Sequence, residues 1–227
     1  MNIEEALRNC EIYQKQIKWY DPDPFYVNFF LKEYLNVVNH IFNGIFDEAN
    51  RDFGLVIVGK ISQKKFYDKA KKKDDEIAVK FSEGYSINFN KQHENSYPNI
   101  LKEIYQLKNK SKTMPGIKIM IRVSDRYKDD INQQIQVKLR NKKLASKEKL
   151  AIEIRKQIPV FLELINHKRD IKNESKVKDD QIVASAFLDI GEYKNVEIVY
   201  ATELYLKVLK RLVEESRNKI KELTSWG

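Results

Sequence analysis

The sequence predicts a mainly α protein, a multi-helix bundle that opens with an antiparallel αα-hairpin and carries a small β element near 117-123. Three observations lead there. The 227 residues include only seven Gly and five Pro, which favours long uninterrupted elements over a many-turned β fold. The stretch Asp23–Phe46 has helical periodicity: Tyr26, Val27, Phe30, Leu31, Tyr34, Leu35, Val37, Val38, Ile41, Phe42, Ile45 and Phe46 fill an arc of roughly 200° at 100° per residue. A helix apolar over more than half its circumference requires neighbours on several sides, so it is expected at the centre. The third observation is the link Asp21-Pro22-Asp23-Pro24, too short and rigid to let the helices before and after it be anything but antiparallel neighbours.

Taken in order, residues 3–19 form the first helix, with Ile3, Leu7, Cys10, Tyr13 and Ile17 on one face. Asp23 is the N-cap of the central helix and Pro24 its first residue, where no hydrogen bond is lost. Gly54 ends that helix, and Leu55–Ile61 is an apolar connector. Ser62 caps a third helix to about Asn90, with Phe66, Ala70, Ile77, Phe81 and Tyr85 as its seam. Pro98 opens a short helix through Leu107. Ile117–Val123 reads as a lone strand by alternation. Tyr127, Ile131, Ile135 and Leu139 at four-residue spacing read as a helix, although Ile135, Val137 and Leu139 alone read as a strand. Ser146 caps a helix kinked by Pro159, with Leu150, Ile154, Ile158, Phe161 and Ile165 as its seam. Ile171–Asp180 is a polar loop, and Gln181–Ile190 reads as a helix closed by Gly191, with a strand as the alternative. Asn195 caps a last helix of roughly 28 residues, with Val196, Val199, Tyr200, Leu204, Leu206, Leu209, Val213 and Ile220 inward. Pro115-Gly116 divides an N-terminal helical half, 1-114, from a C-terminal half, 115-227, unless the two fold as one domain.

Composition narrows the function classes. One third of the chain is charged, with a formal net charge of +9, so polyanions are the first partner class to consider. Lys far outnumbers Arg, however, and Arg is the residue that grips phosphate and base edges as a fork. The single Cys10 excludes an intramolecular disulfide and a cysteine-based zinc cage. The opening MNIEEALRNC lacks the marks of a secretory signal, and no run approaches 18 apolar residues, so a cytoplasmic protein without membrane contact is expected.

Three constellations carry candidate chemistry. On the central helix, Glu33, Asn36, His40, Asn43 and Asp47 follow at three- or four-residue steps and share a face; His40 with Glu33 and Asp47 is the candidate acid–base set, beside the plainer reading of a solvated or hydrogen-bonded stripe. Glu48–Gly54 is a dense polar cluster in which Arg51 pairs with Asp47 or Glu48, explained by helix capping. The densest excess of positive charge is Lys138, Arg140, Lys142, Lys143, Lys147, Lys149, Arg155 and Lys156, a polyanion-binding zone that would be strongly salt-dependent, or else a solvated helix surface. His93 and His167 fall at helix ends or loops. No Gly-rich phosphate loop, GxSxG or HExxH is present, so no cofactor and no metal is expected.

The opening hairpin, with its second helix FYVNFFLKEYLNVVNHIF, resembles the helical pair of HEPN-type nucleotide-binding and ribonuclease domains. That family's catalytic signature is Arg, four to six residues, then His, and no Arg precedes His40, His93 or His167 at that spacing. The string Phe46–Leu55 resembles uncharacterised helical proteins of low-GC archaea, which implies a cytoplasmic location. The leading expectation is a non-enzymatic binding protein whose basic face meets RNA, DNA or an acidic protein. The alternatives are an HEPN-like ribonuclease or nucleotide-handling enzyme, and a structural homo-oligomer.

Overall fold

The computed structural model describes residues 1–94, 116–124, 134–139, 146–190 and 193–225. It is mainly helical with one small antiparallel sheet, in agreement with the expected class. The helices are α1 (Ile3–Tyr20), α2 (Pro24–Asp52), α3 (Gln63–Lys72), α4 (Glu76–Glu94), α5 (Lys147–Arg155), α6 (Ile158–Ile171) and α7 (Ile198–Thr224); the strands are β1 (Lys118–Val123), β2 (Gln134–Gln136), β3 (Ile182–Ile190) and β4 (Tyr193–Glu197). The chain divides into two compact units, Met1–Gln16 with Phe30–Met114 and Tyr200–Gly227, and Ile17–Phe29 with Pro115–Val199.

In the first unit α2 is the central element. Leu31, Tyr34, Leu35, Val38, Ile41, Ile45 and Phe46 are buried along it. Towards α1, a Cβ on Gly44 would stand 2.5 Å from Cγ1 of Ile3, so only glycine lets the two backbones come so near. Towards α3 and α4, the Phe46 ring meets Phe66 at 5.4 Å, Phe81 at 6.1 Å and Tyr85 at 4.8 Å between centroids, edge-to-face and tilted as aromatic quadrupoles prefer. Towards α7, the buried Tyr34 hydroxyl donates to the Thr202 carbonyl at 3.0 Å. Arg217 of α7 donates to both oxygens of Glu48 on α2 and to Glu4 on α1, tying three helices together.

Three details of this unit differ from the sequence reading. The helix expected from Ser62 to about Asn90 is two, because Asp74 takes a left-handed φ of +54° and Asp75 starts α4 afresh by accepting from Ala78 N–H at 2.9 Å. That restart rotates the seam, so Ala78 is buried and Ile77 is exposed. Of the two partners expected for Arg51, Glu48 is held by Arg217, and Asp47 is the carboxyl that feels the Arg51 charge. In α7 the buried face runs through Ala201, Tyr205, Val208, Leu209, Leu212, Val213, Ser216 and Ile220, while Tyr200 is exposed; the helix begins at Ile198 and not at Asn195, since Val196 belongs to β4.

The second unit is a four-stranded sheet in the order β2-β1-β3-β4, with α5 and α6 against one face. Ile119 lies opposite Ala186, Ile121 opposite Ala184 and Val123 opposite Ile182, so Ile119, Ile121, Val123, Ile182 and Ala184 share a face, and they join Leu150, Ile154, Phe161 and Ile165 in one apolar cluster. On the opposite face Arg122 holds Glu197 through two bonds of 2.9 Å. β4 stops at Glu197, opposite Phe187, so the outward N–H of Ala186 finds no strand partner. Asp21, in the α1–α2 turn, accepts it at 2.6 Å.

The helix expected at Gln181–Ile190 is therefore strand β3: paired on both sides and largely buried, it has no polar-apolar alternation to reveal its period. Ile135, Val137 and Leu139 likewise belong to strand β2 and its continuation, with Val137 N–H donating to Ile119 C=O at 2.8 Å, and not to a helix. The kink expected at Pro159 is a full break, Pro159 entering the first turn of α6 where its missing N–H costs nothing. The loop after α6 is pinned: Asn166 bonds both backbone groups of Val177, and buried Arg169 donates to the Ser175 carbonyl. The expected helix Pro98–Leu107 and the positions Tyr127 and Ile131 lie outside the described residues. Among those described, no helix is long and apolar enough to cross a membrane.

Candidate nucleic-acid interface

The turn between α1 and α2 places aromatic side chains in solvent. Trp19 is 71% exposed, Phe25 73%, Phe29 51% and Tyr26 42%. The turn is locally well determined: Asp23 caps α2 as expected, accepting from Phe25 N–H at 2.9 Å and from Tyr26 N–H at 3.3 Å. Tyr20 and Tyr26 stack at 4.4 Å, and Phe25 meets Tyr26 edge-on at 5.2 Å. Tyr26 thus anchors Tyr20 and Phe25, while Trp19, Phe25 and Phe29 keep more than half of their area in water, which is unusual for large aromatics around one turn.

The basic zone reaches this cluster through α5. Ser146 caps that helix, its hydroxyl accepting from Lys149 N–H at 3.3 Å, and so fixes Lys147 as the first helical residue. From there Lys147 places its ammonium 5.6 Å from the centroid of the Trp19 ring, a cation–π contact. Lys149 and Arg155 are exposed on the same helix, and no ion pair among the described residues engages them. Lys156 is exposed and paired with Glu153 at 2.8 Å. Glu148 adds a second negative charge; hydrogen bonds to its own backbone N–H and to Ser146 hold its carboxyl below the ordinary range.

Lys138 comes to the far end of α5 by a two-bond clamp. Its N–H donates to Oε1 of Gln157 at 2.9 Å, and Nε2 of Gln157 donates to its carbonyl at 3.1 Å. Five of the eight basic candidates, Lys138, Lys147, Lys149, Arg155 and Lys156, are therefore carried by α5 and the strand end clamped to it. Arg140, Lys142 and Lys143 lie outside the described residues.

The acid–base candidates on α2 sit differently. His40 and Asp47 are exposed and Glu33 half-buried. Partial desolvation raises the Asp47 carboxyl, with Arg51 opposing. Among the described residues, no group of three His, Cys, Asp or Glu side chains has the arrangement of a metal site. Of the stripe's two Asn, Asn36 is exposed, while Asn43, with its neighbour Asn39, lines a cleft with residues of α3 and α4.

The sequence reading missed the aromatic turn. It placed Tyr26 inside and assigned no role to Trp19, Phe25 or Phe29. The signal was available as aromatic pairs, Trp19-Tyr20 and Phe25-Tyr26, on both sides of a turn too tight to bury them. No family model, curated protein or solved structure matches the chain.

Proposed function

We propose that the chain is a nucleic-acid-binding protein that takes a single strand on the surface formed by the α1–α2 turn and α5. The reading rests on one observation, the Lys147 ammonium held 5.6 Å from the Trp19 ring, which joins exposed aromatics to a basic helix. Such a surface suits a strand whose bases are unpaired: bases stack on Trp19, Phe25 and Phe29 while Lys149 and Arg155 meet phosphates. Stacking of this kind tolerates any base, because every base has a π face. A duplex hides those faces and is disfavoured. The test is fluorescence anisotropy with labelled single-stranded RNA and DNA across a salt series. Affinity should fall linearly in log–log form as salt rises. Trp19→Ala should cost about 1–3 kcal/mol, roughly 5- to 150-fold, and Lys149→Ala should flatten the salt slope by about 1. Equal affinity for duplex and single strand, or no change with Trp19→Ala, overturns the reading.

A homo-oligomer is the second reading, and its support is on α6. Val160, Leu164 and Ile171 are all exposed and lie within about 40° of one another at 100° per residue. Light scattering on the wild type and on Leu164→Lys decides it: a multimer that the variant splits supports this reading, and a monomer at all concentrations removes it.

A further inference from the structure

The first unit holds a cleft of about 370 Å³ between α2, the start of α3 and α4, within the size range of small-molecule sites. Its apolar wall is aromatic. Phe42 and Phe89 meet edge-to-face at 5.5 Å, and Tyr85 lies 6.0 Å from Phe89, giving a wall of ring faces and edges locked by mutual contact.

The polar lining consists of amides and hydroxyls. Asn39 and Asn43 come from α2, one turn apart, and Asn90 from α4; the carboxamides of these three make no hydrogen bond to a described residue. Gln63 is oriented from the opposite side. Its Nε2 donates to the Ser82 carbonyl and to the Ser86 hydroxyl, which leaves its carbonyl oxygen without a partner among the described residues. Among the described residues, no charged side chain lines the cleft.

Gln63 and Ser86 also line an adjoining space of about 340 Å³. Ser82 lies on its wall beside Lys64, Tyr67 and Glu83, 1% exposed, and its buried hydroxyl has no hydrogen-bond partner among the described residues. Buried hydroxyls are satisfied in the great majority of cases, so this one points to a polar group that arrives with a ligand.

We propose that this cleft binds a neutral, flat heteroaromatic molecule of nucleobase or nucleoside size. A carboxamide presents a donor and an acceptor side by side, and pairs in two bonds with a ring edge that carries the complementary pair. Aromatic walls take the ring face, and the described lining of the cleft holds no charge that would favour a phosphate, while the charges of the adjoining space, Lys64 and Glu83, are of opposite sign. The proposal is independent of the strand-binding surface, which lies in the other unit and needs phosphates.

Saturation-transfer NMR on the full chain tests it, with adenosine, guanosine, cytidine and uridine, and N6,N6-dimethyladenosine as a ligand whose donor edge is blocked. At least one nucleoside should receive saturation, its 5′-monophosphate should bind no tighter, and for an adenosine ligand the dimethyl analogue should be at least tenfold weaker. Asn43→Leu should weaken binding at least tenfold with an unchanged melting temperature. Should that variant fail to fold, exposed Asn90→Leu gives the same reading with no core residue altered. No transfer to any nucleoside overturns the proposal, as does full binding by the folded Asn variant or tighter binding of the monophosphate.

Discussion

Replacing Asp21 by Asn should make the protein more stable at neutral pH. The Asp21 carboxyl is largely withdrawn from water at the α1–α2 turn, and burial is the main cause that lifts its pKa from an ordinary 3.8 to about 6. Glu197 adds to the rise, while the Ala186 N–H, Ser185 and Arg122 oppose it. At about 1.36 kcal/mol per pKa unit, that displacement corresponds to about 3 kcal/mol between the two protonation states. Because the folded-state pKa is raised, the favourable contribution is complete below the unfolded pKa of about 4 and is lost as pH rises through 6. Asn cannot ionise, yet its carbonyl still accepts from Ala186 N–H where β4 ends. Urea unfolding of the wild type and Asp21→Asn from pH 4 to pH 8 reads the effect directly. The stability difference should move in favour of the variant by up to about 3 kcal/mol between pH 4 and pH 7, and then level off. A difference that stays flat, or moves towards the wild type as pH rises, refutes the reasoning.

Gly44→Ala places a methyl 2.5 Å from Cγ1 of Ile3, so overpacking of about 1–3 kcal/mol should outweigh the gain of up to 1 kcal/mol in helix propensity; thermal unfolding should show a net loss. Val56 is a β-branched residue at φ +55° in the exposed connector, so Val56→Asn should raise stability by about 1 kcal/mol in the same assay. Burial pushes the Cys10 thiol up to about 12, and its side chain is inaccessible. It should therefore resist a thiol reagent at pH 8 in the folded protein and react at once in urea.

What the sequence revealed follows from which interactions are local. The α1–α2 hairpin and its Asp23 cap depend on residues a few positions apart, and Tyr34 to Phe46 repeat the helical period so strongly that no context could override it. The sheet was legible only at Ile117–Val123. β3 is paired on both sides and largely buried, so residues 182–188 carry no polar-apolar alternation that would set a strand apart from a helix, and β2 is a strand because β1 lies beside it. The break at Asp74 was hidden because a charge run masks the residue that leaves the helix. At the candidate interface the basic half could be read from Lys138 to Lys156 as a run of charge. Its aromatic half was legible only as the pairs Trp19-Tyr20 and Phe25-Tyr26 flanking the turn: Trp19 and Lys147 are 128 positions apart, and periodicity alone places Tyr26 inside. Exposure of a large ring depends on what fails to cover it, which local spacing only hints at.

Trp19 itself offers the most direct measurement of the central claim. The chain has two Trp, so in a Trp226→Phe background the emission reports on the proposed stacking platform alone. Titration with a single-stranded oligonucleotide should quench that emission saturably, with a midpoint that weakens as salt is raised, while a duplex of the same sequence quenches far less. Unchanged Trp19 emission at saturating oligonucleotide would contradict the account, as would a midpoint indifferent to salt.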